Sequence, residues 1–176
     1  MQIKMKKLNL GCGRNKKKGY INIDILKRYN PDKIINLDKF PWPFKDNSID
    51  EVYLSHVLEH MVDSNKVMQE IHRILKSKGK AVIVVPYFTS IFAFRDPTHK
   101  HFFTHKTFDY YLKNYKNLHY FNFEFSKIIY RKIIFGKKIQ VWNYILEPLF
   151  NLFPKIYENT FLRGFPAMEL KVILVK

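Results

Sequence analysis

The most constraining feature of this chain is an apolar run that ends in two glycines, Leu8-Asn9-Leu10-Gly11-Cys12-Gly13. Such a run predicts a strand that breaks into a tight turn, because glycine tolerates positive φ and lets a ligand lie against bare backbone. A second apolar run, Tyr20–Asp24, ends in an acid that could accept hydrogen bonds from a ribose. Together they predict an α/β sheet that binds a nucleoside-bearing cofactor.

The spacing around the glycine turn limits which cofactor this can be. A dinucleotide-binding turn has a third glycine and an acid about twenty residues further on. Here Lys16 stands in the third-glycine position and Asp24 comes too early. The Gly-Lys-Ser/Thr of a P-loop is absent as well. NAD is therefore disfavoured, and a nucleoside cofactor without phosphates remains.

Strand and helix patterns alternate along the first half of the chain. This alternation predicts a doubly wound, mostly parallel sheet, which binds ligands outside the carboxyl ends of its strands. We find no repeat and no linker, so we predict one domain over residues 1–176. The predicted strands are Lys6–Leu10, Tyr20–Asp24, Lys33–Leu37, Ser48–Leu54, Ala81–Val85, Phe123–Ile134 and Met168–Val175, and the predicted helices are Ser55–Met61, Asn65–Ser77 (ended by Lys78-Gly79) and Val141–Phe153.

Composition narrows the class of protein and of partner. The single Cys12 excludes an intrachain disulfide and a cysteine-based zinc site. No apolar run is long enough to predict a membrane span or a signal peptide, so we expect a cytoplasmic protein. The net charge of +16 suits an anionic partner such as nucleic acid. However, the cations are mostly lysines spread over the whole length, as biased genome composition would also produce.

A series of motifs runs in order along residues 6–105. They are Leu8–Gly13, Asp24, Asn36-Leu37-Asp38 with Phe40–Phe44, Ser48–Val52, Ser55–His60, Glu70–Lys76 with Gly79, and the strand ending at Pro86. Taken together, these motifs resemble the class I S-adenosylmethionine-dependent methyltransferases, in particular small methyltransferase-domain proteins associated with sugar or surface-polysaccharide modification. The resemblance implies a Rossmann-like α/β fold, with a mostly parallel seven-stranded sheet, helices on both faces and one antiparallel strand near the carboxy terminus.

The resemblance also implies a site for S-adenosylmethionine. The glycine turn would let the backbone approach the methionine end of the cofactor, and Asp24 would bind both ribose hydroxyls. Asp38 would accept from the adenine amine, although an Asx turn before the proline-rich loop is an alternative. The last residues of the fourth strand would flank the methionyl group. The implied cofactor-binding residues are Gly11, Cys12, Gly13, Asp24, Leu37, Asp38, Leu54 and Ser55.

Two departures from the family pattern concern the cover over the cofactor. Only Gly11–Gly19 links the first two strands, where the family has a full helix. A parallel crossover normally takes a dozen or more residues, so we expect a helical stub or a loop. Little sequence precedes the first strand, and we expect a lid from Phe88–Leu118 or from the region around Glu147–Pro166 instead.

A histidine-rich segment, Asp96–His105, follows the last parallel strand. Methyl transfer from a sulfonium requires a nucleophile held close to the methyl group and a base for its proton, a role that suits a histidine. Our candidates are His99, oriented by Asp96, then His101, with His56 also facing the active site. Two alternatives are that these histidines satisfy loop backbone or that His56, His99 and His101 bind a metal; we predict no resident metal.

The segment His56-Val57-Leu58-Glu59-His60 also matches the H-x-x-E-H pattern of a class of zinc proteases. Histidines four residues apart share a helix face. The match falls where the methyltransferase pattern expects a short helix, and motif spacing shows no third ligand. A protease is therefore disfavoured, and we expect His60 to be packed or hydrogen-bonded.

We predict a methyltransferase that acts on an oxygen or nitrogen of a small molecule or a sugar. An RNA methyltransferase is an alternative that the charge favours, although an RNA-binding module and an Asn/Asp-Pro-Pro-Tyr motif are lacking. A non-enzymatic cofactor-binding subunit is the other. The aromatic stretch Trp142–Phe165 is expected to pack on the sheet, with a substrate cover, a homodimer face or a lipid-linked substrate contact as alternatives.

Overall fold

The computed structural model describes residues 5–113, 115, 121–136 and 141–176. Its strands are β1 (Lys7–Leu10), β2 (Ile21–Asp24), β3 (Lys33–Ile34), β4 (Ile49–Ser55), β5 (Leu75–Pro86), β6 (Lys127–Ile134) and β7 (Glu169–Val175). They form one sheet in the order β3-β2-β1-β4-β5-β7-β6. Strands β1 to β5 pair in parallel, and β7 is antiparallel to both of its neighbours. The predicted seven-stranded, mostly parallel α/β sheet is therefore confirmed.

The helices are shorter than the sequence patterns predict. They are α1 (Ser64–Ile74), α2 (Ile91–Arg95), α3 (Asn143–Leu152) and α4 (Pro154–Asn159), with 3-10 turns at Lys27–Tyr29, Leu58–His60, Thr107–Tyr111 and Phe161–Gly164. The predicted helix Ser55–Met61 is reduced to the turn at Leu58–His60. Part of the predicted lid, residues 114 and 116–118, lies outside the described residues.

Helix α1 begins where Asp63 accepts a hydrogen bond of 3.0 Å from the backbone of Lys66, a typical N-cap. The predicted continuation to Ser77 is wrong. The chain leaves the helix at Ile74 because Leu75 pairs with Ile49 and starts β5. Gly79 consequently lies inside a strand and does not end the helix.

One face of the sheet carries the core. Leu8, Leu10, Val52, Leu54 and Ile83 are fully buried on it, and burial of each such side chain is worth about 1.5–3 kcal/mol. The opposite face is more polar, because Asn9 of β1 pairs in register with Asn22 of β2 and Tyr53 of β4.

The link between β1 and β2 is a loop, as the sequence predicts: residues 11–20, all described, contain no helix. Two buried amides hold this loop against the polar face. Asn9 Nδ2 donates to Asn22 Oδ1 at 2.9 Å and to the carbonyl of Asn15 at 3.0 Å. Asn22 Oδ1 also accepts from the backbone of Lys17 at 2.7 Å. Hydrogen bonds thus replace the apolar contacts that a crossover helix would make.

The carboxy-terminal helices cover the outer edge of the sheet. The Asn151 side chain accepts from the backbone N–H of Ile133 at 2.7 Å and donates to its carbonyl at 2.8 Å, which satisfies part of the β6 edge. Phe150 and Tyr157 are buried in the core, as the packing interpretation expects, whereas Ile145 and Phe161 are exposed. None of the helices in the described part of the chain is long and apolar enough to cross a membrane.

Candidate active site

The glycine turn after β1 has the backbone that its sequence predicts. Gly11 and Gly13 have φ of +62° and +49°, which side chains rarely adopt. A Cβ on Gly11 would lie 2.4 Å from Val57 Cγ2, whereas a Cβ on Gly13 would meet nothing within 4 Å. Between them, burial and the nearby Asp24 raise the pKa of the Cys12 thiol. Space is therefore open above Gly13, where a ligand could approach the backbone. The side chain of Cys12 is buried, so only its backbone is available to such a ligand.

Asp24 joins this turn to the end of β2. Its Oδ2 accepts a hydrogen bond of 2.8 Å from the backbone of Gly13, and its Oδ1 accepts one of 2.9 Å from the backbone of Leu26. The residue is buried. Because each carboxylate oxygen has two acceptor positions, each keeps one for a ligand hydroxyl.

Asp38 joins the loop that follows β3 to the loop that follows β4. Its Oδ1 accepts from the backbone of Val62 at 2.9 Å. An Asx turn does form here, but Asn36 makes it, by accepting from the backbone of Asp38 at 2.9 Å. The neighbouring Leu37 is buried, and its carbonyl accepts from Trp42 Nε1 at 3.1 Å.

The end of β4 turns sharply toward a cavity. The side chain of Leu54 lies in the core, so only its backbone is available to a ligand, while Ser55 is half-buried. The next residue, His56, has φ of +55° and donates its N–H to the Val84 carbonyl at 3.0 Å. This left-handed residue directs the following chain across the ends of β4 and β5.

His56 is held between two carboxylates. Its Nε2 lies 2.9 Å from Glu169 Oε1, and its Nδ1 lies 3.4 Å from Glu59 Oε1. These two partners, Glu169 first, raise the pKa of His56 to about 9. The ring is thus protonated near neutral pH. A protonated ring cannot accept a proton, so His56 does not suit the role of base, for which it was one of three candidates.

A cavity of about 500 Å³ opens beside the ends of β4 and β5. This volume is in the range of small-molecule sites. We call it the acceptor pocket. Its lining residues are His56, Glu59, His60, Pro86, Phe92, Arg95, Asp96, Pro97 and His99.

The histidine-rich segment reaches this pocket because it is tied to the turn after β4. The Glu59 carbonyl accepts from the backbone of Lys100 at 2.7 Å and of His101 at 3.3 Å. His101 Nε2 lies 2.9 Å from the Met61 carbonyl, which can only accept, so this nitrogen donates. His101 therefore links two loops by bonding to loop backbone, which is the alternative to a catalytic role that the sequence analysis gives for these histidines. It is not among the residues that line the pocket.

His99 and His60 both offer an unprotonated Nε2 when their rings are neutral. His99 Nδ1 lies 2.9 Å from the Ala93 carbonyl and must donate to it. His60 Nδ1 lies 2.8 Å from Thr98 Oγ1, whose own proton goes to Asp96 Oδ1 at 2.7 Å. The Thr98 hydroxyl therefore accepts from His60. Each ring has its lone pair on Nε2, and the ring centroids are 4.6 Å apart.

Glu59 is the residue that sequence reasoning missed. Its side chain is fully buried, and neither carboxylate oxygen has a hydrogen-bond partner among the described residues. One ligand atom each from Glu59, His60 and His99 lie within 4.8 Å of one another. The sequence signal for this cluster was the H-x-x-E-H pattern. Its Glu59 and His60 belong to the cluster, whereas its first histidine, His56, contacts Glu169 instead.

The model of a family described as methyltransferase domain matches residues 8–83. An uncharacterized protein of Methanocaldococcus jannaschii is 44% identical over 66 residues, which cover 37% of this chain and 29% of that protein. The chain thus aligns with less than a third of that relative's length.

Solved structures share the fold at low sequence identity. An S-adenosylmethionine-dependent methyltransferase of Archaeoglobus fulgidus is similar with a TM-score of 0.66 and 17% identity, over 98% of this chain and 86% of that one. Another, from Mesorhizobium loti, has a TM-score of 0.60 and 15% identity, over 98% and 91%. A third is a complex of the Haloferax volcanii Trm112 methyltransferase activator with a methyltransferase, at a TM-score of 0.59 and 18% identity, over 98% and 82%.

Proposed function

We propose that this chain, whose residues 8–83 match the model of a methyltransferase-domain family, is an S-adenosylmethionine-dependent methyltransferase that methylates an oxygen or nitrogen of a small molecule or glycan. The observation that carries the proposal is the acceptor pocket. It adjoins the end of β4, where the resemblance expects the methyl group, and it is lined by His99, whose neutral ring has its lone pair on Nε2.

The cofactor would lie along the carboxyl ends of β1 to β4. Gly13 leaves its backbone open, and Asp24 keeps acceptor capacity for the ribose. Asp38 would accept from the adenine amine beside Leu37. Ser55 would lie near the sulfonium.

The chemistry asks little of the protein beyond placement and proton removal. The acceptor's lone pair forms a bond to the methyl carbon while the S–C bond breaks and its electron pair stays on sulfur, which gives S-adenosylhomocysteine. The acceptor's proton passes to a base. His99 Nε2 is available for it, since the ring is buried and its Nδ1–H is engaged by the Ala93 carbonyl.

The pocket rim favours a polar acceptor. The Arg95 guanidinium lies 4.7 Å from the Phe92 ring centroid, and both residues are exposed at the mouth. An aromatic ring and a guanidinium can receive the apolar face and the hydroxyl or acidic groups of a sugar. The cavity volume of about 500 Å³ is large enough for a small sugar acceptor.

The test separates cofactor binding from turnover. S-adenosylhomocysteine binding is measured by calorimetry, and methyl transfer is measured on a panel of sugars and phenols. His99→Ala is expected to keep the affinity for S-adenosylhomocysteine and to lower turnover about a hundredfold or more. His72→Ala, on α1, is the control and should change neither. Unchanged turnover in His99→Ala would exclude His99 as the base.

A second candidate, RNA methylation, is favoured by charge. The chain has 31 lysines and arginines against 15 acids. On the polar sheet face Lys17 Nζ lies 4.0 Å from the Tyr53 ring centroid, and lysine with tyrosine suits phosphates and bases. Binding of bulk tRNA that weakens steeply with salt would favour this candidate. Failure of S-adenosylmethionine to bind at all would leave the non-enzymatic alternative.

A further inference from the structure

We propose that Glu59, His60 and His99 bind a divalent transition-metal ion on the wall of the acceptor pocket. The sequence predicts no resident metal, and the alternative metal site that it offers consists of other residues, His56, His99 and His101. The binding itself is argued from these three side chains alone. The use of the ion in methyl transfer rests on the proposed function.

The first observation is the buried carboxylate of Glu59, which accepts no hydrogen bond from the described residues. Burial of a carboxylate is unfavourable unless hydrogen bonds or a cation compensate it. Both oxygens of Glu59 are buried and lack a hydrogen-bond partner among the described residues. Among the described residues its one ion-pair partner is His56, which is 3.4 Å away and makes a shorter contact, 2.9 Å, with Glu169. A metal ion would supply the missing compensation.

The second observation is the orientation of the two imidazoles. Metal-binding histidines usually donate their other ring N–H to a carbonyl, carboxylate or hydroxyl, which fixes the tautomer. His99 does so to the Ala93 carbonyl. His60 does so to Thr98, which is fixed in turn by Asp96. In the neutral rings both lone pairs are therefore on Nε2, where a metal ion can bind them.

The donor set selects the class of ion. Two imidazole nitrogens and one carboxylate suit Zn²⁺, Mn²⁺ or Fe²⁺, whereas Mg²⁺ and Ca²⁺ prefer oxygen ligands throughout. Three protein ligands leave at least one position open. The neighbouring cavity gives an acceptor oxygen access to that position.

A bound ion changes how the acceptor is activated. An oxygen that coordinates the ion has a lowered pKa and loses its proton to solvent before the methyl group arrives. His99 then acts as a ligand, and no lone pair on it remains for the proton. The oxygen still forms its bond to the methyl carbon as the S–C bond breaks.

Binding is tested on the full chain after treatment with a chelator and dialysis. Zn²⁺ and Mn²⁺ are titrated in by calorimetry, and Co²⁺ is followed by its visible absorption. We expect one ion per chain. Glu59→Gln and His99→Ala should each weaken binding about a hundredfold, and Thr98→Val, which removes a positioning hydroxyl, about tenfold. His72→Gln is the control and should bind as the wild type does.

Three outcomes would overturn the proposal: that the wild-type chain shows no saturable metal binding, that it binds several ions weakly with no single tight site, or that Glu59→Gln binds the metal ion as tightly as the wild type does. The wild-type titration needs no variant, so a poorly folded variant cannot obscure the result. S-adenosylhomocysteine affinity is measured in the same samples with and without chelator. If S-adenosylhomocysteine binds to none of the samples, the proposed function is refuted, whereas the proposed metal site is unaffected.

The use of the ion is tested by activity. Chelation should abolish turnover on an oxygen acceptor, and Zn²⁺ or Mn²⁺ should restore it. Full turnover in the chelated protein, together with loss of turnover in His99→Ala, would instead show that His99 is the base and that the ion has no part in the reaction.

Discussion

The backbone N–H of Gly13 donates a hydrogen bond of 2.8 Å to Asp24 Oδ2. This hydrogen bond joins the turn after β1 to the acid at the end of β2. The carboxylate that is expected to bind the ribose also holds the turn that is expected to lie against the methionine end. Cofactor affinity and local order are consequently linked through one side chain.

We expect Asp24→Asn to weaken S-adenosylhomocysteine binding tenfold or more, since a hydrogen bond to a charged group contributes about 1.5–3 kcal/mol. The amide keeps the shape of the side chain but loses acceptor positions on one side. Calorimetry measures the affinity. Asp46→Asn, an exposed partner of Arg73, is the control. Equal affinities in all three proteins would remove Asp24 from the cofactor site.

The two glycines of the turn should respond differently to alanine. At Gly11 the new Cβ would lie 2.4 Å from Val57 Cγ2, so Gly11→Ala adds a clash to the backbone strain of about 1–2 kcal/mol. At Gly13 only the strain applies. Urea denaturation should show the greater destabilisation for Gly11→Ala.

Partial rescue provides a check on that cause. Val57→Ala should recover part of the stability lost in Gly11→Ala, because it removes the atoms that the new Cβ meets. It should do nothing for Gly13→Ala. A cycle in which Val57→Ala and Gly11→Ala are simply additive would contradict the proposed clash.

The amide pair beneath the β1–β2 loop should be important for stability. Asn22→Ala removes the acceptor for Asn9 Nδ2 and for the backbone of Lys17. Leaving such buried donors unpaired costs about 1–3 kcal/mol each. Asn15 contributes only its carbonyl to the cluster, so Asn15→Ala should change the free energy of unfolding by less than about 0.5 kcal/mol. A similar effect of the two substitutions would contradict this role.

Asp50 predicts a pH dependence. Hydrogen bonds from Lys76 Nζ, at 2.8 Å, and from the backbone of Lys6 lower its pKa. The charged form is favoured by folding, so the stabilisation is fully present above the unfolded-state pKa of about 4. It is lost as the pH falls through the lower, folded-state value. A partly exposed pair of this kind contributes up to about 1 kcal/mol.

The measurement is the difference in free energy of unfolding between the wild type and Asp50→Asn. It should be greatest near pH 6 and should shrink as the pH is lowered toward 2. A difference that stays constant over this range would show that the Asp50 charge makes no contribution.

Local pattern was sufficient for the sheet but not for every boundary. The alternation of apolar runs and glycine turns predicted β1, β2 and β4 within a residue or two at each end. The end of α1 was mispredicted because the lysines and serine after Ile74 are compatible with a helix. Pairing of Leu75 with Ile49, which is distant in sequence, decides that the chain is a strand there.

The sequence by itself determined that a glycine turn and an acid end two neighbouring strands, because backbone freedom and apolar periodicity are local properties. It also placed His99 near the end of the last parallel strand. Only the tertiary structure decided what each histidine does. His56 lies between two carboxylates, His101 fixes a loop, and Glu59 joins His60 and His99 in one cluster. Those roles depend on contacts with residues that are distant in sequence. The spacing of residues within a motif carries no information about such long-range contacts.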